Sequence, residues 1–152
     1  MSQNDATKEN FILFELNNTT YAVKSLMVKQ MEMLDQITPV PNAPEYIDGI
    51  VFSRGQVIPV LNLRKRFGFE IIPYNLSTRL IVVQNKERLV GLVVDSAREF
   101  ISLQTETIQP PPDYISGLSG KYLDGIATLD KRILLILDLE SIMQITDTTI
   151  NN

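Results

Sequence analysis

The sequence has no cysteine and no histidine among its 152 residues. The lack of cysteine excludes disulfides, thiolate zinc sites, iron–sulfur clusters and cysteine nucleophiles within the chain. The lack of histidine removes the commonest general base and the commonest metal ligand. Together these absences argue against an enzyme, and we expect no catalytic residue, no metal site and no cofactor.

Basic residues are also in short supply. The 14 lysines and arginines are outnumbered by 18 acidic residues, which gives a formal net charge of −4 and a pI near 4.8. Nucleic-acid binding rests on a basic surface, so nucleic acid is not an expected partner. No signal peptide is recognisable, and no apolar run approaches the ~20 residues that cross a bilayer. These features predict a cytoplasmic protein without direct membrane insertion.

Short apolar runs separated by turn residues fill the rest of the chain, which is typical of an all-β fold. Residues 1–10 are expected to be a disordered lead-in, 11–145 the folded domain and 146–152 a frayed tail. The run from Val28 to Leu34 is ambiguous between helix and strand. A short helical turn is expected at Leu63 to Phe67, ended by Gly68. Four hairpins are predicted, at residues 11–23, 49–61, 80–94 and 125–139.

An internal repeat is the most informative pattern in the sequence. The segment Tyr46 to Ile50 (YIDGI) matches Tyr122 to Ile126 (YLDGI), and the offset between them is 122 − 46 = 76. The strands that follow match at the same offset, whereas earlier segments match at an offset of 90 − 21 = 69. The repeat predicts two similar units related by a pseudo-twofold, divided at about 11–75 and 76–145, although elements could be exchanged between them.

The sequence also yields predictions for single residues. The glycines at positions 49, 55 and 125 are assigned structural roles in turns, because Asp-Gly and Arg-Gly pairs are turn sequences. The basic cluster Arg64-Lys65-Arg66 is interpreted as a solvated helix face. Four strand residues in matching positions are expected to be buried: Val57, Val60, Ile133 and Ile136.

The same segments resemble the CheW family of chemotaxis coupling proteins. The resemblance rests on Pro39 to Ile50, on Arg54-Gly55 and on Val57 to Val60, and it extends over residues 10–143. It implies two intertwined SH3-like five-stranded β-barrels with short helices and a shared hydrophobic core. The sequence departs from the usual family pattern at four positions, which are Ala22, Gln30, Phe52 and Asn62.

The resemblance implies a non-catalytic adaptor with two protein partners. One is the regulatory domain of a CheA-type histidine kinase, and the other is the cytoplasmic tip of a methyl-accepting chemoreceptor. Recruitment to membrane-associated receptor arrays would follow. Two related alternatives remain open: an adaptor of a pilus or gliding system, and a kinase-regulatory module that binds no receptor.

Particular residues can be carried over from the family. The expected kinase interface comprises Val28, Gln30, Met31 and Arg54, and the expected receptor interface comprises Arg79, Leu80 and Phe100. From the sequence alone, Arg54 could equally be a solvated turn residue. The apolar members could equally belong to the core.

A third alternative, from a different class, is a small β-barrel hydrolase or ligand-binding domain. Asp48 and Asp124 recur in both repeats, and paired acids are a common feature of catalytic sites. However, Asp-Gly is primarily a turn sequence. No phosphate-binding loop or glycine-rich motif accompanies these acids, so the sequence favours the adaptor.

Overall fold

The computed structural model describes residues 7–112 and 120–144 of the chain. Within these ranges two short α-helices are present, α1 (Leu63–Phe67) and α2 (Leu139–Ile142). The same ranges contain three 3-10 turns, at Ser25–Met27, Thr105–Thr107 and Gly120–Tyr122. The strands are β1 (Lys8–Leu16), β2 (Thr19–Lys24), β3 (Val28–Met33), β4 (Ile47–Ser53), β5 (Gln56–Asn62), β6 (Arg79–Asn85), β7 (Arg88–Val94), β8 (Ser96–Gln104), β9 (Leu123–Leu129) and β10 (Arg132–Leu137).

The strands form two five-stranded sheets with the same strand plan. Sheet A has the order β8-β1-β2-β10-β9, and sheet B has the order β3-β6-β7-β5-β4. Each sheet contains one parallel pair at its centre, β2 with β10 and β5 with β7, while the other pairs are antiparallel. The predicted fold class, mainly β with two five-stranded units and short helices, is confirmed.

The two sheets do not coincide with the two sequence repeats. Sheet B is built from the continuous stretch 28–94, whereas sheet A combines 8–24 with 96–137. The repeats, expected at about 11–75 and 76–145 with possible exchange of elements, do exchange them in the structure. The first hairpin of each repeat joins the sheet that contains the second hairpin of the other repeat, so the two units are interlocked.

Registers of strand pairing show that the repeats are structurally equivalent. Gly49 pairs with Val60 next to a β-bulge, and Gly125 pairs with Ile136 next to the corresponding bulge. The carbonyl oxygen of Tyr46 accepts a 2.8 Å hydrogen bond from the amide at position 62. The carbonyl oxygen at position 122 accepts a bond of equal length from the amide at position 138. Equivalent residues thus make equivalent backbone contacts.

All four predicted hairpins are present, and the ambiguous segment after Val28 is strand β3. The expected disordered lead-in is wrong for residues 8–10, because β1 begins at Lys8 and pairs there with Gln104. Residues 1–6, 145 and the predicted tail 146–152 lie outside the described ranges. Sequence patterns do not predict strand β8, since its sequence SAREFISLQ has little apolar alternation.

Buried apolar side chains form three clusters. One lies within sheet A, around Phe11 and Leu134, and one lies within sheet B, around Ile58 and Leu80. The third cluster draws on both sheets and includes Phe14, so it is the expected shared core. Strand β1 therefore contributes to two cores, because alternate side chains point to opposite faces of a strand.

Burial at the four predicted core positions depends on their distance from the hairpin turns. Val60 and Ile136 are buried as expected. The expectation is wrong for Val57, which is 59% exposed, and for Ile133, which is 60% exposed. Both lie one residue after the start of their strand, beside the turn, where the hairpin extends beyond the buried clusters.

Two of the three glycines assigned to turns lie inside strands instead. Gly49 is in β4 and Gly125 is in β9. A loop backbone crosses each of them, as Thr38 bridges to Ile50 and Gln109 bridges to Ile126. A Cβ at Gly49 would lie 2.2 Å from the Thr38 carbonyl oxygen, so the glycine permits this close approach.

No helix in the described ranges is long and apolar enough to cross a membrane.

Candidate functional site

The β4–β5 hairpin presents Arg54 at the tip of a two-residue turn. Arg54 has a φ of 53° and Gly55 a φ of 78°, the left-handed conformations of a type I′ turn. Only Gly55 occupies the turn role that was predicted for the three glycines. The Arg54 side chain is exposed and makes no hydrogen bond or ion pair with any residue of the described ranges. Its guanidinium is therefore available to a carboxylate or to carbonyl groups of a partner.

Gln30 lies close to this hairpin and joins the two edges of sheet B. Its side-chain amide donates a 2.9 Å hydrogen bond to Ser53 Oγ and a second bond to the carboxylate of Glu32. Strand β3 and the end of β4 are thus linked, although they are opposite edges of the sheet. Gln30 and Arg54 line one cavity of about 370 Å³ at this end of the sheet. The structure brings these two predicted kinase-interface residues together.

Apolar side chains beside Arg54 extend this surface. Phe52 is 74% exposed and stands opposite Val57 in the β4–β5 register. Met31 is partly exposed on β3, whereas Val28 is half-buried and packs against the shared core. The cross-strand neighbours Phe52 and Val57 are both apolar and exposed, and exposed apolar side chains in contact are a common mark of a surface that another protein covers. We call the surface formed by Gln30, Met31, Phe52, Arg54 and Val57 the hairpin face.

The predicted receptor-interface residues are more dispersed. The guanidinium of Arg79 donates to the carbonyl oxygens of Leu76 (2.7 Å) and Thr78 (2.9 Å), so it fixes the loop that precedes β6. Leu80 is 2% exposed and belongs to the core of sheet B, which corrects its assignment to an interface. Phe100 is 64% exposed on β8, the edge strand of sheet A. Of the three residues, only Phe100 is an exposed apolar side chain.

Phe100 is the structural equivalent of Met31. Met31 pairs with Ile81 in sheet B and Phe100 pairs with Ile12 in sheet A, and both partners keep the earlier repeat offset, since 81 − 12 and 100 − 31 are equal. Each edge strand carries a bulge just before this position. The residues expected to face two different partners thus occupy the same place in the two sheets. The repeat offset of 69 would have predicted that Phe100 corresponds to Met31, but β8 is not recognisable as a strand from its sequence.

Sheet A has its own exposed surface around Phe100. Glu99 on β8 and Arg132 on β10 form an ion pair of 2.9 Å. Ile133, which follows Arg132 on β10, is also exposed. We call the surface formed by Glu99, Phe100, Arg132 and Ile133 the β8 face. It corresponds by repeat position to residues 30, 31 and 57 of the hairpin face and to residue 56 beside them, so the molecule carries two related surfaces.

The basic cluster on α1 is not a solvated helix face. Arg64 makes two hydrogen bonds to the carboxylate of Asp95, at 3.0 and 2.8 Å, and Lys65 makes an ion pair of 2.8 Å with Asp48. Burial raises the pKa of Asp95, but the bonds from Arg64 and from the Asn17 amide outweigh that effect and lower it overall. The cluster ties α1 to the surrounding strands.

Asp48 lies in a polar cluster in which both of its carboxylate oxygens accept hydrogen bonds. Besides Lys65, it accepts a 3.0 Å hydrogen bond from Asn62 Nδ2 and a bond from the Tyr74 hydroxyl. Burial alone would raise the pKa of Asp48, but these donors lower it. Burial and the neighbouring carboxylate raise the pKa of Tyr74. Asn62 departs from the family's usual aspartate, and its amide supplies the donor that an acid beside Asp48 would lack.

The same cluster favours a structural role for Asp48. Each of its carboxylate oxygens already accepts at least one protein donor, which holds the side chain between β4, α1 and the loop at Tyr74. Asp124 is exposed, and the residue that corresponds to Asn62 in its repeat is Asp138, which caps α2 at the Ser141 amide. The two aspartates therefore have different surroundings and do not form a shared acid–base site.

Comparison with known proteins agrees with this architecture. Residues 10–147 match the CheW-like domain. The chain is 33% identical to the chemotaxis protein CheW of Klebsiella aerogenes over 135 residues, which cover 89% of this chain and 81% of that protein. It is 30% identical to the chemotaxis protein CheW of Bacillus subtilis, with 90% and 88% of the two chains covered.

A solved structure is similar along nearly its whole length. The crystal structure of the scaffolding protein TtCheW from Thermoanaerobacter tengcongensis superposes with a TM-score of 0.85 at 29% identity, covering 92% of this chain and 95% of that one. The fold, two interlocked five-stranded sheets around a shared core, is therefore that of the CheW proteins. The chain belongs to the CheW family.

Proposed function

We propose that this chain is a non-catalytic adaptor that couples chemoreceptors to a CheA-type histidine kinase. In this role it would act in the cytoplasm and be recruited to membrane-associated receptor arrays. The observation that carries the proposal is the presence of two related exposed surfaces around one shared core. One is the hairpin face on sheet B, and the other is the β8 face on sheet A. A protein that bridges two partners needs one surface for each of them.

The hairpin face is proposed to bind the regulatory domain of the kinase. It combines the exposed apolar pair Phe52 and Val57 with Arg54, whose cation has no partner in the part of the chain that the structure describes, and this is a typical composition for an interface. Gln30 and Met31 lie on the adjoining edge strand, and Val28 supports them from a half-buried position. The expected contact partner of Arg54 is an acidic side chain or a set of backbone carbonyls on the kinase domain.

The β8 face is proposed to bind the cytoplasmic tip of the receptor. Phe100 supplies the exposed apolar side chain there, and Glu99, which precedes it in β8, supplies charged groups through its ion pair with Arg132. Arg79 fixes the loop before β6, which belongs to sheet B, so it lies outside this face. Leu80 is a buried residue of the sheet B core and makes no part of the proposed contact.

Separate binding experiments with each partner test the proposal. The protein, Arg54→Ala, Phe100→Ala and a control, Arg88→Ala, are titrated with the kinase regulatory domain and with a receptor-tip fragment. Arg88 is an exposed arginine of sheet B that does not line the cavity at Arg54. Arg54→Ala should weaken kinase binding about five- to a hundred-fold, since a lost partner for a buried acceptor costs about 1–3 kcal/mol.

The pattern across the variants decides between the alternatives. Phe100→Ala should weaken receptor binding and leave kinase binding unchanged, while Arg88→Ala should change neither. Kinase binding without any receptor binding by the unaltered protein would favour a kinase-regulatory module. Binding to the partners of a pilus or gliding system alone would place the adaptor in that pathway. Equal loss of kinase affinity in Arg88→Ala would contradict the assignment of Arg54.

A further inference from the structure

Arg66 on α1 reaches across the boundary between the two repeats. Its Nη2 donates to the carbonyl oxygens of Ser141 (3.3 Å) and Gln144 (2.9 Å), the first within α2 and the second just beyond its end. The Ser141 carbonyl oxygen also accepts a longer bond of 3.4 Å from the Gln144 amide, and Arg66 supplies a second donor there. Helix α1 directly follows β5 of sheet B, and α2 follows β10 of sheet A. The contact therefore links the segments that leave the two sheets.

The guanidinium of Arg66 also lies between the two repeated tyrosines. Its central carbon is 4.0 Å from the centre of the Tyr46 ring and 5.2 Å from the centre of the Tyr122 ring. Both distances are within the range of cation–π attraction. Tyr46 directly precedes β4 of sheet B, and Tyr122 directly precedes β9 of sheet A. One side chain therefore contacts the same position in both repeats.

Nothing in the repeat pattern requires an arginine at this place. The equivalent position in the second repeat, 66 + 76 = 142, holds Ile142, which is fully buried in the shared core. Arg66 instead keeps a buried Nε without a hydrogen-bond partner among the described residues. A cation with a buried, unsatisfied donor is a poor choice for stability alone. The hydrogen bonds and ring contacts of Arg66 favour one orientation of the groups they join, whereas hydrophobic burial in the shared core has no preferred direction.

We propose that Arg66 is a positioning residue that holds sheet A and sheet B in one fixed relation. The functional consequence rests on the proposed function. The fixed arrangement of the two sheets determines the position of a partner bound on the hairpin face relative to a partner bound on the β8 face. Neither face contains Arg66, so it acts through Tyr46, Tyr122 and the end of α2.

A distance measurement between the sheets tests the proposal without any partner. The chain contains no cysteine, so spin labels can be attached at Val57→Cys and Ile133→Cys alone. These exposed positions are repeat equivalents, one on each sheet. Pulsed electron resonance should give a narrow distance distribution in the unaltered background. Arg66→Lys keeps the charge but cannot stack on the rings and reach both carbonyls, so the distribution should widen at least about twofold.

A matched control separates this role from a general loss of a cation. Lys121 also lies over the Tyr122 ring, at 5.5 Å, but it is exposed and precedes sheet A's β9 in the same segment. Lys121→Gln should leave the distribution as narrow as before. A distribution that stays equally narrow in Arg66→Lys would overturn the inference. Loss of cooperative thermal unfolding in Arg66→Lys would also overturn it, because Arg66 would then be required for folding itself.

The functional consequence is measured as coupling between the two partners. The coupling factor is the ratio of receptor-tip dissociation constants without and with saturating kinase domain. A single fixed relation couples the sites only by holding the two bound partners against each other, and through that contact we expect a factor of about five or more for the unaltered protein. In Arg66→Lys the partners are no longer held in contact, so the factor should fall close to one, while the affinity for each partner alone stays within about twofold. An unchanged factor in Arg66→Lys would overturn the inference. Absence of binding by the unaltered protein would instead refute the proposed function.

Discussion

Replacing Gly49 with alanine tests the close contact between β4 and the loop that crosses it. Gly49 has a φ of +147°, and a Cβ there would lie 2.2 Å from the Thr38 carbonyl oxygen. That oxygen is held in place, because Thr38 and Ile50 exchange two backbone hydrogen bonds of 2.9 Å. Alanine would therefore strain the backbone and also break the bridge at the base of the hairpin that carries Arg54.

The size of the effect follows from these two causes. A residue in a sparsely populated backbone conformation costs about 1–3 kcal/mol. Each lost backbone hydrogen bond costs roughly 0.5–1.5 kcal/mol. Backbone strain and the loss of two hydrogen bonds in Gly49→Ala should together lower the free energy of unfolding by about 4 kcal/mol. In a domain of this size that loss should lower the Tm by roughly 8–16 °C. Thermal unfolding followed by circular dichroism measures this shift directly.

Two other glycines serve as controls for the separate causes. Gly55 has a φ of +78°, but nothing lies within 4 Å of its Cβ position, so Gly55→Ala carries only the backbone strain. Gly125→Ala carries mainly a contact with the Ile108 side chain, at 2.7 Å, and a side chain can move aside. We expect Gly49→Ala to be the least stable of the three. A Tm for Gly49→Ala equal to that of Gly55→Ala would refute the reasoning, because the Thr38 contact would then contribute nothing.

Three further predictions concern an ion-paired carboxylate, a core residue and a hydroxyl group. The lowered pKa of Asp95 stabilises the fold above the ordinary carboxyl pKa, and this contribution is lost as the pH falls through the folded value. Urea titrations should therefore show a shallower loss of stability below about pH 4 in Asp95→Asn than in the unaltered protein. Leu80→Ala should lower the free energy of unfolding by about 2–5 kcal/mol, whereas Phe100→Ala should change it by at most about 0.5 kcal/mol, as urea unfolding would show. Tyr74→Phe removes a donor to Asp48, so the pKa of Asp48 should rise in an NMR titration, and no change would contradict that contact.

Much of the fold is predictable because the hairpins and the repeat are local sequence features. Turn residues such as Asn17-Asn18 and Arg54-Gly55 mark the hairpins, and the buried strands have continuous apolar runs. Strand β8 escapes prediction because it is an edge strand with exposed polar residues, and its pairing with β1 is a long-range contact. The interlocking of the sheets is also long-range, and nothing local in the sequence specifies it.

The candidate site is predictable only in part, for a related reason. Arg54 can be placed at a turn, but the exposure of Phe52 and Val57 depends on where the buried clusters end. The family resemblance alone predicted that Leu80 lies at an interface. The strand register instead directs its side chain into the core of sheet B. The role of Arg66 is hidden because the two tyrosines that it contacts belong to different repeats and meet only in the folded molecule.

Control of the kinase by the receptor tests the central claim most directly. The rate of kinase autophosphorylation is measured with receptor and kinase alone, and then with the protein, Arg54→Ala or Arg88→Ala added. The account predicts that only the protein and Arg88→Ala make the kinase rate depend on the receptor, although all three fold with similar Tm values. Receptor control that is equally strong with Arg54→Ala, or that does not require the protein at all, would contradict the account.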